Sequence, residues 1–128
     1  MKSTVVNILL ALLLVAAGAR GAAAQTTGSV AWEPHTFDVR GVGTVAAEVG
    51  RIRVPERRGA PAGRTIEIGF VRLAAKQARR PPVVYLDGGP GGDGHSIARV
   101  PAFYRLFDRL RSERDVILLS QRGVGLSR

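Results

Sequence analysis

Between Gly88 and Gly94 the chain is nearly bare backbone, and the chemistry that bare backbone can do is donation from N–H groups. The segment reads Asp87-Gly88-Gly89-Pro90-Gly91-Gly92-Asp93-Gly94, followed by His95 and Ser96. Glycine tolerates positive φ and lets the main chain approach a ligand closely, while Pro90 fixes one bend and removes one donor. Such a loop can face a phosphate or the oxyanion of a tetrahedral intermediate. Other reactive residue types are sparse. His95 and Ser96 are neighbours in sequence, so their side chains diverge and form no dyad. His35 lies in a polar stretch and reads as a surface residue. The chain has no cysteine, which excludes disulfides and thiolate chemistry. No ligand cluster at metal-binding spacing stands out, so neither a metal nor an organic cofactor is expected.

The phosphate option can be weighed on the residues. Gly89, four residues, then Gly94-His95-Ser96 matches a P-loop with histidine in place of lysine. Pro90 deletes an N–H the cradle would use, Asp93 places a negative charge in it, and a mostly neutral His95 lacks the lysine charge. Two shorter glycine patterns, at Gly41-Val42-Gly43 and Gly123-Val124-Gly125, lack the strand or the helix that a dinucleotide site requires. The oxyanion option therefore leads.

The loop needs elements to hold it. Thr44–Val54 and Thr65–Leu73 read as two strands joined by a Pro- and Gly-bearing hairpin connection; Ile66, Ile68 and Phe70 alternate on one face of the second. Pro82 to Leu86 reads as a short buried strand that empties into the glycine loop. Pro101 can open a helix, and Phe103, Leu106, Phe107 and Leu110 give it one apolar face. Asp115-Val-Ile-Leu-Leu-Ser120 reads as a buried parallel strand leaving into Gln121–Arg128. The expected fold class is α/β: antiparallel first strands, then a strand–helix–strand crossover. A chain of 128 residues leaves room for one domain at most.

The first 24 residues read as a secretory signal peptide: Lys2, a mostly apolar run from Val5 to Ala17, then Ala22-Ala23-Ala24 before Gln25. The run is shorter than the roughly 20 residues of a spanning helix. The mature protein is expected to be secreted or periplasmic, without a stable membrane anchor after cleavage. Residues 25–42 read as an irregular segment anchored by Trp32 and Phe37. The formal net charge is +9, almost all of it from scattered arginine. With few interleaved aromatics, this argues for a solvated basic surface and against a nucleic-acid partner.

Two motifs carry a family resemblance. Tyr85-Leu-Asp-Gly-Gly-Pro-Gly-Gly92 and Asp115-Val-Ile-Leu-Leu-Ser-Gln-Arg-Gly-Val-Gly-Leu-Ser127 resemble segments of the prolyl and tripeptidyl aminopeptidases, a group of α/β-hydrolases. Gly63 to Leu73 resembles the second strand of that group, so the likeness spans roughly residues 43 to 128. It implies the N-terminal part of an α/β-hydrolase sheet, a peptide or ester substrate, and acyl transfer. Within that reading the Gly89 N–H donates to the oxyanion and Gly88 shapes the turn. Two positions depart from the pattern. Asp87 stands where many relatives have histidine, and must turn away or pair with an arginine such as Arg122. Ser120 stands where they commonly have aspartate.

A serine hydrolase of that group also needs a nucleophile elbow, an acid and a histidine in that order. Gly125-Leu126-Ser127-Arg128 begins like an elbow but belongs to the loop after the parallel strand. The expectation is therefore an N-terminal segment of an exported serine hydrolase, contributing the oxyanion loop and inactive by itself. The competing expectation is a non-catalytic secreted binding protein derived from a truncated hydrolase.

Overall fold

The computed structural model describes residues 28–128. The signal-peptide reading of residues 1–24 lies outside the described residues. Five strands, β1 (Val30–Val39), β2 (Gly43–Pro55), β3 (Thr65–Leu73), β4 (Val83–Leu86) and β5 (Val116–Leu119), form one sheet in the order β1-β2-β3-β5-β4. Two helices, α1 (Gly94–Ile97) and α2 (Pro101–Leu110), lie between β4 and β5 in the chain. β1, β2 and β3 pair antiparallel, β3 pairs antiparallel with β5, and β4 runs parallel to β5.

This corrects the expected fold class. The architecture is β-rich, a five-stranded mixed sheet with two helices of 4 and 10 residues, and not an α/β-hydrolase-like one. The physical reason is where regular structure goes. β1 and β2 run 10 and 13 residues, whereas the parallel pair is 4 residues per strand. Glycine consumes the segment from Gly88 onward, so a sustained apolar helical period survives in α2 and nowhere else among the described residues.

Residues 25–42 were expected to be irregular, and most of them are β1. Pro34 speaks against a strand in sequence, but β1 is an edge strand, where a missing N–H on the outer side costs no ladder bond. Arg40–Val42 then turns the chain, with Gly41 and Gly43 at φ +79° and +103°, closing the β1–β2 hairpin. The Gly41-Val42-Gly43 pattern is thus a turn.

One sheet face holds the core. Phe37 and Val39 of β1, Val45 and Val49 of β2, Val71 and Leu73 of β3, and Val116 and Leu118 of β5 are buried there with Tyr104 and Phe107 of α2. Phe107 stacks edge-on to Tyr85 of β4 at 5.1 Å between ring centroids. α2 opens on Pro101 at its first turn, as its sequence predicts. The opposite face presents Trp32, Ile52, Ile68, Phe70, Ile117 and Leu119 by strand alternation. Among the described residues no helix covers it.

Candidate functional site

The glycine loop leaves the C-terminal end of β4 and ends where α1 begins. Two ties hold it against the loop that follows β5. At its start, Gln121 Nε2 donates to the Asp87 carbonyl oxygen at 2.9 Å. At its end, the buried Asp93 carboxylate accepts from Ser120 Oγ at 2.5 Å. Asp93 also accepts from Ser96 Oγ at 2.9 Å, from Ser96 N at 3.1 Å and from His95 N at 3.3 Å, so it caps α1. Burial by itself would raise the Asp93 pKa. The bonds from Ser120, Ser96 and His95 outweigh it and hold the carboxyl below its ordinary value.

Between those ties the main chain is open. Gly89 adopts φ +150° and Gly91 φ +84°. The Gly89 N–H has no acceptor among the described residues, while residues 89–91 form a hydrogen-bonded turn that engages the Gly92 N–H. A side chain on Gly89 would begin 2.8 Å from Gly92 N and 3.0 Å from Gly91 N, so these amides crowd one small space. A free amide in a turn of positive-φ glycines is an arrangement that can receive anionic oxygen.

The predicted site residues divide. Gly89 keeps its N–H free, whereas the Gly88 N–H is taken by Asp87 Oδ1 at 2.9 Å. The same Oδ1 accepts from Tyr85 Oη at 3.1 Å. Burial, then the Asp87 carboxylate, pushes the Tyr85 pKa above its ordinary value. Asp87 does not pair with Arg122, whose Nη1 donates to the Glu56 carbonyl at 3.2 Å. Its carboxylate lies against the loop, with Oδ1 bonded to Gly88 N and Oδ2 2.7 Å from where a Cβ on Gly92 would stand.

Ser127 is 5% exposed and built into the frame. Its hydroxyl donates to the Ser120 carbonyl at 2.8 Å and accepts from Gly69 N at 2.9 Å. Neither histidine is bonded to a serine hydroxyl; His35 and His95 bond to each other. Among the described residues no group of three or more His, Cys, Asp or Glu side chains could hold a metal ion. A groove of about 710 Å³, lined by Ile52, Val54, Ile66 and Ile68 with Arg58 and Arg122 at its rim, lies on the open sheet face, away from the glycine loop.

The sequence reading missed two features of the site. Asp93 counted there as an obstacle to phosphate, whereas it is the cap and the anchor. Its position three residues before Ser96, at the start of a helix, was the available signal. The His35–His95 contact spans 60 residues and has no local signature.

No protein-family model matches the chain, and no curated protein matches its sequence. Nothing in these comparisons identifies a hydrolase family.

Proposed function

We propose that the chain supplies the oxyanion-stabilising loop of an exported serine hydrolase, of aminopeptidase type, acting by acyl transfer on a peptide or ester. The observation that supports this reading is the free Gly89 N–H in a glycine loop anchored at both ends. Preorganised amides of this kind stabilise the negative oxygen of a tetrahedral intermediate by about 3–4 kcal/mol per donor, because they need no reorientation as charge develops. Gly89 suits the role because a side chain there would crowd the amides of Gly91 and Gly92. In this reading neither Ser127, committed to the frame, nor Ser96, bonded to Asp93, is the nucleophile. The 128-residue chain by itself is therefore expected to be inactive.

The test starts from the protein as its producing cells release it, captured with an antibody to the described residues. A fluorophosphonate probe should label the captured species, and that species should hydrolyse an aminoacyl or peptidyl amide. Gly89→Ala should lower kcat by about 10²-fold with little change in KM. A captured species that neither reacts with the probe nor turns over substrate would sink the proposal. That result would favour the second reading, a secreted binding protein, which rests on the open apolar face around Trp32, Ile52 and Phe70.

A further inference from the structure

His35 Nε2 and His95 Nε2 meet at 3.1 Å, with ring centroids 5.1 Å apart. One nitrogen must donate and the other accept. Arg99 decides which, because its Nη2 lies 3.3 Å from the same His95 Nε2. A guanidinium has donors and no acceptor, so His95 Nε2 is the acceptor and His35 Nε2 carries the proton.

The contact joins distant parts of the fold. His35 sits on β1, opposite Ala47 of β2. His95 sits on α1, whose first residue, Gly94, is pressed against Leu118 of β5. The bond therefore fastens an edge strand to the helix in which the glycine loop ends. The groups that act electrostatically on His95 are Arg99, the His35 ring and Asp93, and the uncharged Phe37 ring of β1 meets it edge-on at 6.5 Å. Burial first, then Arg99 and His35, lower the His95 pKa from its ordinary value, against the pull of Asp93.

We propose that the His35–His95 contact is a pH-operated latch, closed while one of the facing nitrogens lacks a proton and open when both rings are imidazolium. In the doubly protonated state two N–H groups and a guanidinium confront one another with no acceptor between them. Opening removes the polar tie between β1 and α1, leaving the Phe37–His95 ring contact, and loosens the end of the glycine loop. The latch stands independently of any hydrolase activity.

The sign follows from the lowered His95 proton affinity. As pH falls, the unfolded chain takes up this proton before the folded one does. The stabilisation is complete above about pH 6.5 and declines as pH falls below it.

Imidazole ¹⁵N spectra and amide hydrogen exchange of the full chain test this. Near about pH 7.5 a proton should reside on His35 Nε2 and none on His95 Nε2. By about pH 5, exchange of residues 30–39 and 94–98 should accelerate at least roughly fivefold beyond the intrinsic pH effect. His95→Gln keeps an acceptor for Arg99 and does not titrate, so its exchange should lack that acceleration. Wild-type exchange that does not change between the two conditions overturns the latch, as does a variant that accelerates equally. Should the variant not fold, the wild-type spectra decide. Both rings becoming charged with residues 30–39 still fully protected is fatal to the proposal, and so are rings that stay neutral throughout.

Discussion

Ser120 Oγ donates to Asp93 Oδ1 at 2.5 Å, across 27 residues of sequence, and Ser120 is fully buried. This bond sets the glycine loop against the loop after β5. Removing the carboxylate leaves a buried hydroxyl without its acceptor and strips the cap from α1. Asp93→Ala is expected to cost about 2–4 kcal/mol, from the unsatisfied group plus the lost cap. Ser120→Ala should cost less, about 1–2 kcal/mol, since the other donors to Asp93 remain. Urea denaturation of both variants measures this, and equal losses would contradict the anchoring role of Asp93.

The same carboxylate predicts an acid limb. The folded-state pKa of Asp93 lies below its unfolded value. Its contribution is therefore present above about pH 4 and is lost as pH falls through the folded pKa. Stability measured below about pH 4 should drop more steeply for the wild type than for Asp93→Asn, which has no proton to take up. Parallel acid limbs would refute the assignment.

Ser127 is expected to behave as a frame residue. Ser127→Ala leaves the Gly69 N–H and the Ser120 carbonyl short of a partner in the interior, a loss of about 2–3 kcal/mol. A fluorophosphonate should not label Ser127 in the wild-type chain. A labelled Ser127 peptide in a mass-spectrometric digest would show that its hydroxyl is reactive after all.

Glycines of the loop and of the hairpin connection should respond in opposite directions. A Cβ on Gly92 would overlap the Gly88 carbonyl and lie 2.7 Å from Asp87 Oδ2, so Gly92→Ala must displace the loop. It is expected to destabilise by about 1–3 kcal/mol. Gly59 has open space around its Cβ position, and Gly59→Ala should be neutral or stabilise by up to about 1 kcal/mol. Thermal melts of the two variants make the comparison.

Much of the strand framework was legible because apolar alternation is a local signal. The period-two pattern of Ile66, Ile68 and Phe70 placed β3, and the spacing of Phe103, Leu106, Phe107 and Leu110 placed α2. β1 was not legible, since Pro34 and its flanking polar residues mask a strand that the sheet accepts at its edge. The fold class was misjudged for a related reason. A single strand–helix–strand crossover pointed to α/β, but the long antiparallel ladders of β1, β2 and β3 dominate the sheet. At the site, the glycine composition marked the loop. What holds it did not show, because Asp93 meets Ser120, and His35 meets His95, through the fold and not along the chain.

Trp32 is the sequence's single tryptophan. It is 42% exposed on the open face, edge-on to Phe70 at 5.4 Å, with the Arg72 guanidinium 4.6 Å over its ring. The protein thereby carries its own optical reporter for that face. Anything that settles over Trp32 displaces water and Arg72 from the indole, and should move its emission without any attached label. Events confined to the helical side of the sheet leave that signal unchanged, so intrinsic fluorescence distinguishes the two faces of one molecule.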